Sequence, residues 1–178
     1  MPLVDAYMSY SGGIVGGYKN GRYKNCSEVF EFSYSLPGDG GLVLSVTKPA
    51  DKASNMLYYR YLQCRFKDAV GKTDIKDRTI DEIRMDLCRR GDFNSDGSVS
   101  ADELIAFVQY CFKGCRILSY STAYSNNDAD DDIPEETITV GFKEMYMKYN
   151  RPNDPSEFGW SFREGKAMPV ANAKFPKA

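Results

Sequence analysis

The chain has 178 residues, a length that suits one domain of roughly 100–200 residues with a core of its own. Lys and Arg number 23 against 25 Asp and Glu, so the formal charge is −2 and no global basic field exists to hold nucleic acid. There is no histidine, which excludes Ser-His-Asp and Cys-His nucleophilic pairs, a histidine general base and every histidine-containing metal site.

With 13 Tyr and 10 Phe, the composition leans to half-buried sheets with one wet face. Leu3 to Tyr10 alternates, with Val4, Ala6, Met8 and Tyr10 on one face, and reads as a strand. Gly12-Gly13, Gly16-Gly17 and Gly21 then mark a flexible loop. Cys26 to Leu36 has the clearest period of two and predicts a single strand that turns Phe30, Phe32 and Tyr34 one way. Pro37 to Gly41 breaks the chain before Leu42, Leu44 and Val46 resume the alternation, and Pro49 ends that strand.

A helix follows, capped by Asp51 or Ser54 and running to about Arg65. Ala53, Leu57, Tyr61 and Cys64 form one apolar stripe along it, suited to covering a sheet. Thr137 to Tyr149 reads as a long strand whose parity shifts by one residue, the mark of a bulge or bend. Residues 125–132 are acidic and Asn-rich and read as a solvated turn, and Phe158, Trp160 and Phe162 alternate as a last aromatic strand before a poorly patterned tail expected to fray.

Five cysteines, Cys26, Cys64, Cys88, Cys111 and Cys115, show no C-x-x-C spacing. Cys111 and Cys115 on one strand would lie about 13 Å apart at roughly 3.3 Å per residue, too far for a disulfide without a bend or helix. Five reduced, partly buried thiols are the expectation. No basic and apolar leader opens the chain and no run approaches about 18 apolar residues, so synthesis and initial folding are expected in the cytoplasm, without membrane insertion.

Asp92 to Glu103 matches the twelve-residue calcium loop of an EF-hand. Asp92, Asn94 and Asp96 hold positions one, three and five, Gly97 permits the turn, Ser98 offers its carbonyl and Glu103 closes the shell with two oxygens. The flanks leave two readings open. Ile80, Ile83 and Leu87 fit an entering helix, whereas Ile83, Met85 and Leu87 alternate as a strand, and Phe107 to Phe112 is strand-like. The segment is then either a helix–loop–helix site or a β-hairpin with a long polar loop, which could take Ca²⁺ without helices.

Taken in order, several landmarks resemble the hemolysin-coregulated protein (Hcp) family, the tube subunit of type VI secretion systems. They are Val4-Asp5-Ala6-Tyr7, Phe30-Glu31-Phe32-Ser33-Tyr34, the segment Val46 to Ser54 (VTKPADKAS), Leu118-Ser119-Tyr120-Ser121, Pro134 to Phe142, and Gly159-Trp160-Ser161-Phe162. The resemblance implies a mainly β fold: a small β-barrel of two antiparallel sheets with one flanking α-helix, similar to phage tail-tube proteins. It implies one domain over 1–178, and Arg78 to Arg90 and Phe107 to Tyr120 as central strands joined by the long 92–103 loop.

By the same resemblance the chain is no enzyme. The resemblance implies a structural subunit of homo-hexameric rings that stack, meet sheath, spike and effector proteins, carry effectors in the lumen, and leave the cell without a signal peptide. No cofactor is required, and Ca²⁺ is a possible addition. The loop Ser35 to Gly41 is either an inter-subunit contact or a simple hairpin turn. Lys48, Asp51 and Lys52 are expected to shape the strand-to-helix turn, or to form a capped, solvated helix start. From a different class, the chain could instead be a calcium-binding interaction module built on 92–103.

Overall fold

The alternating segments become strands, and three stretches of chain turn a corner between two sheets. The structure is a computed structural model that describes residues 4–19, 21–35, 42–66, 78–90, 104–124, 133–150 and 155–175. Its strands are β1 (Val4–Tyr10), β2 (Ser27–Val29), β3 (Glu31–Ser35), β4 (Val43–Pro49), β5 (Ile80–Arg90), β6 (Leu104–Ala123), β7 (Glu135–Gly141), β8 (Glu144–Tyr149), β9 (Ser156–Ser161) and β10 (Lys166–Ala167). Helix α1 spans Ser54–Arg65.

One antiparallel sheet runs β10-β9-β8-β6-β5-β1-β2, and a second joins β3, β4, β7 and the far half of β6. β6 belongs to both. Its first part pairs with β5 and β8, and from Arg116 onward it pairs with β7. Gly114 sits at the crossing with φ +62°, where an added Cβ would fall 2.9 Å from the Lys143 side chain. A side chain there would be strained by the backbone as well as crowded.

The expected class is met: among the described residues the chain is mainly β, with two antiparallel sheets flanked by helix α1. The barrel is an open one, because the ladder leaves edges at β2, β3 and β10 among the described residues. Leu44, Val46, Ile83, Met85, Phe112, Ile138, Val140 and Met145 fill the space between the sheets. Helix α1 closes one side through Ala53, Leu57 and Cys64, with Tyr61 partly buried, as its stripe predicts. Full burial of a side chain such as Leu57 contributes about 1.5–3 kcal/mol.

Four expectations are corrected. The predicted single strand over Cys26–Leu36 divides at Phe30: β2 pairs with β1 in the first sheet and β3 with β4 in the second. Phe30 stands at the corner, 60% exposed, while Phe32 and Tyr34 lie against Tyr110. The long strand over Thr137–Tyr149 is likewise two strands in different sheets, β7 and β8. Alternation reports which face a residue takes and is blind to which partner strand it finds.

The glycine loop is packed rather than simply flexible: Ile14, Gly16 and Tyr23 are buried, and a Cβ on Gly16 would fall 2.2 Å from the Cys26 carbonyl carbon. The tail does not fray up to residue 175. Ala173 is buried, Met168 N–H donates to the Gly159 carbonyl, and Arg84 and Lys113 donate to carbonyls of Ala173, Lys174 and Asn172.

Candidate functional site

The polar centre of the molecule lies at the β4–α1 junction. In β4 the parity that buries Leu44 and Val46 also carries Lys48 inward, leaving it 0% exposed. An ammonium removed from water needs partners on every side. Lys48 Nζ donates to the Pro49 carbonyl at 2.9 Å and to Asp51 Oδ1 at 2.8 Å, and lies 3.0 Å from Glu136 Oε2. Glu136 is the residue directly opposite Lys48 in the β4–β7 register, so strand pairing itself sets this contact.

Asp51 ties three segments together. Its Oδ2 accepts from Ser27 Oγ at 2.6 Å and from the Gly17 N–H at 3.0 Å, and its Oδ1 also accepts the Ala53 N–H at 3.0 Å. Burial by itself would raise this carboxyl, but hydrogen bonds from Lys48 and Ser27, the Lys48 charge and the Gly17 amide together hold it below its ordinary value. Ser54 Oγ accepts the Asp51 N–H at 2.8 Å and donates to Glu136 Oε2 at 2.7 Å. Asp51 and Ser54 thus organise the turn, although no side chain caps the helix at its N-cap, Ala53. The reading of Lys48 and Asp51 as a solvated helix start is wrong; only Lys52 is exposed.

A second polar chain crosses the outer face of the first sheet. Asn150 Nδ2 donates to Gln109 Oε1 at 3.0 Å, Gln109 Nε2 reaches Asp86 at 3.3 Å, and the Tyr23 hydroxyl donates to Asp86 Oδ2 at 3.1 Å. Cys88 Sγ donates to the Tyr23 oxygen at 3.0 Å, and the Tyr23 ring stacks on Tyr7 at 4.3 Å. Burial raises the Asp86 carboxyl despite these donors. It also pushes the Cys26 thiol up to about 11 and the Cys88 and Cys111 thiols up to about 12. All five cysteines are free, and at neutral pH these three are thiols rather than nucleophilic thiolates.

Asp92, Asn94, Asp96, Ser98 and Glu103 lie outside the described residues, as does the loop beyond Ser35. Their flanks are described. β5 ends at Arg90 paired with Leu104, where β6 begins, so both arms of the calcium-like segment are strand and the helix–loop–helix reading falls. Ile83, Met85 and Leu87 follow the period of two rather than the helical spacing because a partner strand lies on each side of β5. Among the described residues no group of three Cys, Asp or Glu side chains is placed to hold a metal ion.

Sequence reasoning passed over Ser27, Gly17 and Glu136 as members of the junction, and over Asp86, Gln109 and Asn150. The signal for the first group was the parity of Lys48 with Leu44 and Val46, which demands a buried counter-ion. Nothing local marks the second, since its members come from separate parts of the chain.

The class these features define is an open, two-sheet β protein with helix α1 at its side and, among the described residues, several unpaired strand edges. Among solved structures it is the fold of Hcp proteins of type VI secretion systems. The chain is similar to Hcp1 from Salmonella typhimurium at 18% identity, covering 94% of this chain and 100% of that one with a TM-score of 0.70. Secreted protein Hcp3 from Pseudomonas aeruginosa matches at 14% identity, 89% and 99% coverage and a TM-score of 0.61. A type VI secretion system effector from Yersinia pestis matches at 18% identity, 88% and 99% coverage and 0.63. No family model matches the sequence, and no curated protein is similar to it in sequence.

Proposed function

We propose that this chain is a structural, non-enzymatic subunit of a type VI inner tube, forming hexameric rings that stack and leave the cell with the contracting apparatus. The observation that carries this reading is the end-to-end correspondence of fold, 94% of this chain against 100% of an Hcp protein. The edges give it a physical route. β2 and β3 each pair on one side only among the described residues, and the Arg116–Ala123 half of β6 pairs only with β7. Unpaired N–H and C=O groups on two different edges suit a head-to-tail contact, which closes into a ring when the rotation per subunit allows. In that setting sheath and spike proteins are the outer partners, and effectors occupy the lumen.

Negative-stain images and sedimentation of the purified chain test this. Rings with sixfold symmetry are expected; monomers alone across a wide concentration range would reject the reading.

The second reading concerns the 92–103 segment, whose residues match the calcium loop at every position while its arms are the ends of a hairpin. Asp92, Asn94, Asp96 and Glu103 supply the side-chain oxygens and Ser98 its carbonyl, stiffening a loop on the ring. Calorimetry is expected to show Ca²⁺ binding that Asp96→Asn and Glu103→Gln abolish. A flat titration at millimolar Ca²⁺ removes it.

A further inference from the structure

A cleft of about 350 Å³ opens between α1 and the second sheet, lined by Ser54, Asn55, Tyr58, Tyr120, Thr122 and Glu136. Three observations bear on what it would hold. The first is charge: among the described residues Asp51 and Glu136 share the Lys48 ammonium, two carboxylates to one cation. Asp51 is turned away toward Ser27 and Gly17, whereas Glu136, its side chain only 5% exposed, lines the cleft. The second is that none of the described lining residues is basic.

The third is the aromatic wall. The rings of Tyr58 and Tyr120 meet edge to face at 5.2 Å, and Tyr61 backs both at 6.1 and 6.5 Å. Aromatic faces carry negative quadrupole density and attract organic cations. An anion would meet Glu136, and a neutral guest would add no charge to the single ammonium that Glu136 shares with Asp51. A hard divalent ion needs six or more oxygens, and the cleft offers one carboxylate and a few neutral groups.

The geometry points to a site for an organic cation, an alkylammonium or guanidinium head that lies against Tyr58 and Tyr120 and pairs with Glu136. The same chemistry could come from a lysine or arginine side chain of a neighbouring copy or from a free small amine. This inference does not rest on the tube reading.

Saturation-transfer NMR and titration with n-butylammonium at low salt test it, with 1-butanol as the uncharged control. Binding of the ammonium and not of the alcohol is expected. Tyr58→Ala, at an exposed position, is expected to weaken it about fivefold and Glu136→Gln about tenfold. Equal binding of the alcohol, wild-type affinity in both variants, or no ammonium binding at tens of millimolar would overturn the proposal. If Glu136→Gln does not fold, Tyr58→Ala alone decides.

Sedimentation in the presence of n-butylammonium separates the sources. Dissociation of the assembly assigns the occupant to a neighbouring copy, and an unchanged assembly with binding retained assigns it to a free amine. Rings without cation binding remove the cleft and leave the tube reading standing; cation binding without rings does the reverse.

Discussion

The molecule contains two polar clusters built on a partly buried aspartate, and they solve the same problem in opposite ways. At the β4–α1 junction Asp51 has an ammonium 2.8 Å away, and its carboxyl is held low. On the outer face Asp86 accepts from the neutral donors Tyr23 and Gln109, and burial holds its carboxyl high even though the charges of Arg22 and Arg84 pull it down. Hydrogen bonds satisfy lone pairs; a counter-ion also offsets the cost of taking charge out of water. The junction is therefore the more specific structure and the more brittle one.

The sharpest way to break this contrast is Lys48→Met, which removes the ammonium and leaves the buried Glu136 and the partly buried Asp51 without it. A loss of about 3–5 kcal/mol in urea unfolding is expected. Adding Glu136→Gln to that variant should recover part of the loss, since one uncompensated charge is then gone; a further loss would contradict the pairing described. In the second cluster Tyr23→Phe removes one donor to Asp86 and the acceptor of the Cys88 thiol, and about 1–2 kcal/mol is expected by the same measurement.

The smallest effect separates the clusters by sign. The Asp51 contribution is present above the ordinary carboxyl value of 3.8 and is lost as pH falls through its lower folded value. That of Asp86 runs the other way: the fold favours the protonated acid, so the stabilisation is present below 3.8 and is lost as pH rises through the raised folded value. Asp86→Asn is thus expected to be more stable than the wild type at neutral pH by less than about 1 kcal/mol, an advantage that vanishes in acid. Urea midpoints across a pH series check this, and an advantage that grows in acid would reverse the assignment.

Local pattern carried much of the fold. The bounds of α1, its buried stripe, and the strands β1 and β4 follow from spacings within ten residues or so. What escaped were the corners at Phe30 and between β7 and β8, because periodicity does not encode the partner strand. The tail escaped for a related reason: its order comes from side chains far back in the chain, Arg84 and Lys113. At the junction Lys48, Asp51 and Ser54 were legible as a turn, yet the burial of Lys48 depends on Glu136, which only the β4–β7 register brings opposite. The 92–103 segment was legible as ligand chemistry, and its flanks were settled by pairing rather than by composition.

The pairing of β4 with β7 also fixes an order of events during synthesis. Thr47 and Thr137, whose hydroxyls meet at 3.3 Å, are 90 residues apart, so at about 5–20 residues per second β4, with β3 already made, waits roughly 5–20 s for its second partner. Throughout that interval the emerging chain presents an apolar strand, Leu44 and Val46 included, together with a lysine that has no carboxylate across from it. Translation speed, and whatever shields the nascent segment on the ribosome, therefore bear directly on the yield of this protein.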